Sequence, residues 1–279
     1  MYKSERPRNR RYIPHNALCE LFRLAVLYTT NGDLSLWYVS ITSQCGVIYL
    51  LFLPCRKGPS HGPPSYYPAC THVPARLPPT FGQPITPTWK ALPPGWNHGD
   101  WALTYSSKPI YHFLWNIQIH QNPLINAQTP GQLADITSFG YSANDSHVYT
   151  VYGIDTPYSQ DPEYTGVYNF NATGTLSGTS DTFEILSWGY DTAGHGFMAF
   201  YEGQEANGGA APALDIVSRS EEGPTDETLY AVYSALASLG NGNITALVRN
   251  VTATPNSRQV VVGPVACGEA CMNNTNIVP

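Results

Sequence analysis

The sequence predicts an all-β fold in residues 98–262, an eight-stranded antiparallel up-and-down barrel with one C-terminal α-helix packed outside it. Three observations predict this fold. Tyr, Thr, Ser, Asn and Gly are abundant and only 12% of residues are charged, a composition that favours strands and turns over long helices. Strand-like segments recur at a spacing of roughly 10–15 residues with turn signals between them. A single amphipathic helix follows the last of them.

The strand-like segments alternate apolar and polar residues with the period of two that a half-buried strand requires. In the second segment Phe113, Trp115, Ile117 and Ile119 fall on one face. An open sheet of this size would expose an apolar face and two edges, whereas closure into a barrel removes both problems. The segments are residues 101–107, 111–120, 131–141, 146–155, 164–171, 181–191, 195–203 and 213–220.

The helix is predicted within residues 223–242. Pro224 stands at its entry, Asp226 and Glu227 occupy its first turn, and Gly240 comes just past its end. Its apolar residues recur at helical spacing, so one stripe must lie against an apolar surface, and the outer wall of the barrel is the natural partner. These residues are Leu229, Val232, Tyr233, Leu236 and Leu239.

Residues 1–97 differ from the rest of the chain in charge and composition. They hold 10 of the 14 Lys and Arg residues and 3 of the 20 acidic ones, whereas residues 98–279 hold 4 and 17. This acidic balance disfavours nucleic acid as a partner of the barrel. Residues 1–55 join a basic start to the apolar block 45–53, which predicts a signal or anchor-like leader, with an untargeted extension as the alternative. The Pro-rich residues 56–97 predict an extended linker.

Five Asn-x-Ser/Thr sequons favour a secreted, N-glycosylated protein, with simple richness in Asn and Thr as the alternative explanation. A membrane-anchored form, held by the N-terminal apolar segment, is the alternative to secretion. The tail 263–279 carries Cys267 and Cys271, which are expected to form a local disulfide, because they are the only two cysteines left if residues 1–97 are removed. The sequon asparagines are Asn144, Asn171, Asn243, Asn250 and Asn273.

Two short motifs resemble those of a known family. In "GDWALTYSS", Gly99 and Trp101 resemble the G-x-W signature on the first strand of lipocalins. "DIVSRS" resembles the last-strand element whose Arg, here Arg219, packs across that Trp. Together with "VYGIDTP" and the helix, residues 95–255 resemble a group of uncharacterised secreted fungal lipocalin-like proteins. The resemblance implies a calycin barrel with Trp101 and Arg219 as structural closures, a contact whose cation–π part contributes about 0.5–2 kcal/mol.

The resemblance implies a lumen that holds one small ligand. We expect a monomer that binds a small apolar or aromatic molecule, with aromatic rings as the wall and tyrosine hydroxyls as orienting groups. A barrel that serves only as a surface interaction module, its lumen filled by its own side chains, is a further possibility. The predicted ligand-binding residues are Tyr105, Phe113, Trp115, Tyr152, Tyr168, Trp188 and Phe200.

The alternative function is a calycin-like isomerase or lyase acting on a hydrophobic metabolite. It requires a carboxyl group inside the barrel with a raised pKa, and Glu184 and Asp155 are the candidates, although Glu184 can equally face solvent. No metal or cofactor is expected. The sequence has no H-E-x-x-H, G-x-S-x-G or phosphate-binding Gly-rich motif. His112 and His120 lie on one predicted strand about 26 Å apart, too far to share a metal.

Overall fold

The computed structural model describes residues 22–30, 33–44, 47–54, 73–83, 89–144, 148–206 and 209–257. The chain divides into two units, Met1–Cys70 and Thr71–Pro279. The first unit contains an antiparallel sheet of three strands in sequence order, within the segment that the sequence predicts as a leader. These strands are β1 (Phe22–Thr30), β2 (Asp33–Gln44) and β3 (Val47–Pro54).

The second unit is built on a closed barrel of eight antiparallel strands, β4 to β11. Each strand pairs with the next in sequence, and the pairing of β11 with β4 closes the ring. This confirms the predicted up-and-down barrel. The strands are β4 (Gly99–Ser106), β5 (Trp115–Pro123), β6 (Leu133–Gly140), β7 (Tyr149–Pro157), β8 (Val167–Ala172), β9 (Ser180–Tyr190), β10 (Gly196–Glu202) and β11 (Ala213–Ser218).

Strand β5 begins later than the sequence predicts. Residues Pro109–Phe113 form a 3-10 turn, and Phe113 is 71% exposed instead of continuing the face of Ile117. Asn116 adopts a left-handed backbone conformation with φ of 54°, and the register between β5 and β6 shifts at this point. This irregularity interrupts the alternation of side chains between the two faces, which the sequence pattern treats as continuous over residues 111–120.

Two helices follow the barrel rather than the one predicted. Helix α1 (Asp226–Ala237) confirms the predicted helix, and α2 (Gly242–Asn250) was not predicted. Both pack on the outer wall, where Val232 and Leu236 join a buried cluster with Leu214. The short strand β12 (Thr252–Ala253) then pairs with the end of β4 that β5 leaves free. Neither helix of the described residues has the length and apolarity needed to cross a bilayer.

Part of the predicted linker is packed against the outside of the barrel. Ala75 forms a β-bridge with Ser187, and the buried Arg76 guanidinium donates to the carbonyl oxygens of Ile185, Glu163 and Thr165 at 2.9, 3.0 and 2.6 Å. These three bonds satisfy the donors of a buried cation, and the charge of the nearby Glu184 also favours it. Residues 73–83 are thereby fixed to β9 and to the loop before β8.

The barrel wall separates two cores by strand alternation. On β10, Phe197 and Ala199 face outward into the cluster beneath the helices, whereas Met198 and Phe200 face the lumen. The same rule on β11 places Ile216 outside and Val217 inside. The inward residues of all eight strands line the site described next.

Candidate functional site

One end of the lumen is closed around Trp101, which is 1% exposed. Its indole Nε1 donates to the carbonyl oxygen of Asn97 at 2.8 Å, and the guanidinium of Arg219 lies 3.6 Å from the ring centroid. Arg219 also donates to the carbonyl oxygens of Asp100 at 2.6 Å, of Trp96 at 3.3 Å and of His98. The guanidinium thus ties the segment before β4 to the end of β11, with the indole beneath it.

Inside the barrel lies a cavity of about 460 Å³, a size suited to a small organic molecule. Most of its wall is apolar, with five aromatic rings of Trp and Phe and several aliphatic side chains. Ile110, which is half exposed, lies at the rim. The aromatic and aliphatic lining residues are Trp101, Ile110, Tyr111, Leu114, Ile119, Phe139, Val151, Phe170, Leu176, Phe183, Met198, Phe200, Ala210 and Val217.

The polar part of the wall is acidic. Five carboxyl groups line the cavity, and Lys108 is the single basic side chain among the described lining residues. Its ammonium forms ion pairs with Glu202 at 2.6 Å and Glu205 at 3.0 Å. Burial lowers the pKa of Lys108, but the charges and hydrogen bonds of the two glutamates outweigh it, so the pKa is raised and Lys108 stays charged. The carboxyl groups belong to Asp135, Asp155, Asp181, Glu202 and Glu205.

Asp135 and Asp155, on the neighbouring strands β6 and β7, form a hydrogen-bonded carboxyl pair. The amide Nε2 of Gln121 donates to both, at 3.1 Å to Asp135 and 2.9 Å to Asp155, and Asn97 in turn donates to Gln121 at 3.2 Å. Burial raises the pKa of Asp135 to about 6. Burial and the charge of Asp135 raise the pKa of Asp155 well above its usual value. The pair therefore retains a proton at a higher pH than an ordinary aspartate does.

Asp181 approaches the same space from β9. Burial and repulsion by Glu202 raise its pKa to about 7, although Lys108 opposes the shift. The phenol of Tyr111 donates to Glu202 at 3.1 Å. The lumen thus combines carboxyl groups that accept or release protons near neutral pH with a largely apolar, aromatic wall, an arrangement able to bind polar groups strongly or to transfer protons.

The ring of Phe170 is inserted in this acidic wall. The β-ladder pairs Phe170 with Asp155 on one side and with Asp181 on the other, so all three side chains point into the lumen. The ring leans over Gly153, where a Cβ atom would collide with its Cε2 atom. Glycine at this position makes the close approach of the ring to the wall possible.

The structure distributes the seven predicted ligand-binding residues over different places. Phe200 lines the cavity, and Tyr168 packs in the lumen cluster, where its ring stacks on Phe183 at 5.8 Å. Neither Tyr168 nor the other five are among the residues that line the cavity, although Trp188 packs against the same cluster as Tyr168. Tyr105 contacts the cluster beneath the helices, and Tyr152 packs with Ile136 in a separate cluster. Phe113 is exposed, and Trp115 is half-buried at the start of β5. The indole of Trp188 donates to the carbonyl oxygen of Lys90 at 2.8 Å.

The two carboxyl candidates lie on opposite sides of the wall. Asp155 is 1% exposed and lines the lumen. Glu184 is also buried, but outside the barrel, where it accepts hydrogen bonds from the backbone N and the Oγ1 of Thr80 at 3.1 and 2.6 Å. Glu184 therefore holds residues 73–83 in place. Sequence reasoning missed Asp135, Asp181 and Glu202, although their strand faces carry Phe139, Phe183 and Phe200 two or four residues away.

The remaining predicted sites concern modification and metal. Asn144, Asn171, Asn243 and Asn250 are exposed, and Asn243 and Asn250 lie in α2 rather than in a loop. Asn273, Cys267 and Cys271 lie outside the described residues. Within the described ranges, no group of three His, Cys, Asp or Glu side chains is arranged to hold a metal ion.

Comparison with known proteins finds a relative in sequence and solved structures with a similar fold. No family model matches the chain. The chain is 28% identical over 186 residues to botcinic acid biosynthesis cluster B protein 12 of Botryotinia fuckeliana (strain B05.10), covering 64% of this chain and 82% of that protein. A biogenic amine-binding protein, in its selenomethionine form, matches with a TM-score of 0.36 and 11% identity over 56% of this chain and 77% of its own. The siderocalin Ex-FABP matches with a TM-score of 0.36 and 12% identity over 62% of this chain and 99% of its own. The strand order of the chain itself, with Trp101 beneath Arg219, makes this a lipocalin-like barrel.

Proposed function

We propose that this protein binds one small molecule inside the barrel, with an apolar body against the aromatic wall and a polar group at the carboxyl groups. The cavity of about 460 Å³ carries this proposal, because it joins an apolar lining to a few convergent polar groups. A lumen filled by its own side chains, as in a pure interaction module, would leave no such space. The name of the relative in the botcinic acid cluster favours a biosynthetic intermediate or product as the ligand.

Native mass spectrometry of the full chain, produced in a eukaryotic host, tests this proposal. We expect an added mass of roughly a few hundred daltons at a stoichiometry of one, after glycans are subtracted, and recovery of that molecule by organic extraction. A protein without added mass, which also fails to bind a panel of lipophilic fluorophores, would contradict the proposal.

Two variants on one strand provide a matched control for the location of the ligand. Val151 lines the cavity, whereas Ile154 faces outward on the same strand and packs with Ile136. Val151→Trp fills the lumen and should abolish the added mass, while Ile154→Trp should retain it. Loss of the ligand from both variants would place it outside the lumen.

We also propose that the protein is exported and N-glycosylated. The exposure of Asn144, Asn171, Asn243 and Asn250 supports this, since the transferred glycan is bulky and needs an open surface. Protein recovered from the medium of a eukaryotic culture should lose mass on treatment with an amidase that removes N-glycans. Replacement of all four asparagines by Gln should remove most of that loss, and retention of the protein inside the cell would contradict export.

A further inference from the structure

The charges of the lumen do not balance. Lys108 faces Glu202 and Glu205, so the one ammonium of the wall is already shared by two carboxylates. Asp135, Asp155 and Asp181 lie on β6, β7 and β9, and no basic side chain among the described residues that line the cavity contacts them. Buried carboxylates that are crowded in one cavity repel one another strongly, because the protein interior screens their charges poorly.

Asp215 on β11 is a fourth aspartate, buried beside the cavity. Asp215 is 0% exposed and stands on the same face of β11 as Val217, which lines the cavity. Ser106 donates to its Oδ1, whereas its Oδ2 has no hydrogen-bond donor among the described residues, and burial and the charge of Glu202 raise the pKa of Asp215 well above its usual value. A buried carboxyl oxygen without a donor is costly, and a positive charge in the lumen would lower that cost.

The ring of Phe170 gives the acidic wall a second property that suits a cation. It is paired with Asp155 and Asp181 in the β-ladder, and Gly153 leaves room for it to lie over the wall. The face of an aromatic ring attracts a cation, and the attraction grows when water is excluded. Carboxylates beside an aromatic face form the combination that recognises an organic ammonium group.

We infer that the ligand of this lumen carries an organic ammonium group, which Asp135, Asp155 and Asp181 bind beside the ring of Phe170. The inference rests on the proposed binding function and adds the chemical class of the ligand. The apolar remainder of the molecule lies against Phe139, Phe183 and Phe200. Without a cation in the lumen, these carboxyl groups bind protons, which lowers their mutual repulsion. The ammonium group supplies a positive charge in place of those protons.

The affinity of an ammonium ligand should therefore depend on pH. Its partners bind it best as carboxylates, and the pKa values of Asp135 and Asp181 are raised to about 6 and about 7, chiefly by burial. As the pH rises through this range the two groups ionise and the affinity increases. The other titratable groups that face them are Asp155, Glu202, Glu205, Asp215, Lys108 and Tyr111.

The test compares two probes of equal size, naphthylmethylamine and naphthylmethanol, by isothermal titration calorimetry with the full chain. A charge-assisted hydrogen bond exceeds a neutral one enough to separate the two affinities by about tenfold. We expect the amine to bind about tenfold more tightly at pH 8 and the difference to narrow at pH 5.5. The affinity of the alcohol should change little over this range.

Two variants test whether the preference for the amine comes from the carboxyl groups of the lumen. Asp181→Asn should remove much of the preference for the amine, so that the ratio of the amine affinity to the alcohol affinity at pH 8 falls toward one. Glu227→Gln removes one negative charge from the exposed first turn of α1, which packs outside the barrel, and should leave both affinities unchanged. If Glu227→Gln weakens the amine as much as Asp181→Asn, the preference reflects net charge and the inference is overturned.

The outcomes separate the inference from the proposed function. Binding of the alcohol as tightly as the amine at pH 8 overturns the ammonium assignment and leaves the lumen as a binding site for small molecules. Failure of both probes to bind overturns the ammonium assignment, and in a protein that also carries no added mass it overturns the proposed function. Tighter binding of the amine that is lost in Val151→Trp supports both.

Discussion

Replacing Trp101 by Ala is expected to destabilise the barrel by about 3–5 kcal/mol, because a fully buried indole leaves a cavity that its neighbours cannot fill. The side chain is 1% exposed, lies beneath Arg219 and forms a hydrogen bond with the carbonyl oxygen of Asn97. The variant loses all three contributions at once. Thermal unfolding, followed by circular dichroism at pH 6, should show a melting temperature lower by roughly 6–20 °C.

Two further variants separate the causes. Trp101→Phe keeps a ring under Arg219 and removes the indole N–H, so it should cost less than Trp101→Ala. Tyr190 is 65% exposed and touches Trp96 at the edge of the same cluster. Tyr190→Ala should cost about 1 kcal/mol or less, as most exposed substitutions do. A Trp101→Ala protein that melts within a degree or two of wild type would contradict the assignment of Trp101 to the closed end.

The barrel was predictable because its signal is local. Alternation on segments such as 195–203 fixes which residues share a face, and eight such segments with short links leave closure as the simplest arrangement. Helix α1 was predictable for the same reason, since its entry, its acidic first turn and its apolar stripe all lie within one segment. Trp101 and Arg219 were found through a resemblance, not through periodicity.

The missed features depend on contacts between distant residues. Glu184 is buried because residues 73–83 cover it, and no local pattern on β9 shows that Thr80 will donate to it. Helix α2 is short and rich in Asn and Thr, and its start depends on the Asn241 side chain, which accepts from two backbone N–H groups. These interactions favour a helix where composition favours a turn.

The acidic lumen was missed because an aspartate on a strand is normally taken to face solvent. The alternation fixes that Asp135 shares a face with Thr137 and Phe139, but it does not decide which face is inside. Only closure of the ring brings Asp135, Asp155 and Asp181 together from three strands. The chemistry of the site is therefore a property of the tertiary fold.

The same carboxyl groups make the stability of the barrel fall as the pH rises. In the unfolded chain an aspartate titrates near pH 3.9, whereas the folded pKa of Asp135 is raised to about 6 by burial. Between these values the folded state holds a proton that the unfolded state has lost, so its stabilising effect is full below about pH 4 and is lost as the pH rises through the folded pKa. A shift from 3.8 to about 6 corresponds to about 3 kcal/mol. Asp155, Asp181 and Asp215 act in the same direction.

We therefore expect the melting temperature of the ligand-free protein to decrease by at least roughly 6–12 °C between pH 5 and pH 8.

Asp155→Asn tests the cause, because an Asn amide copies the protonated carboxyl group: its N–H donates to Asp135 and its oxygen accepts from Gln121. This variant should match wild type below about pH 4 and become more stable than wild type as the pH rises to 8, with a slope lower by up to about 1.4 kcal/mol per pH unit. Glu227→Gln should leave the slope unchanged. A melting temperature that stays constant or rises between pH 5 and pH 8 would show that the lumen carboxyl groups ionise at their ordinary pKa values.

An ammonium ligand would reverse the trend by supplying the counter-charge, since a ligand that binds only the folded state adds the most stability where its affinity is highest.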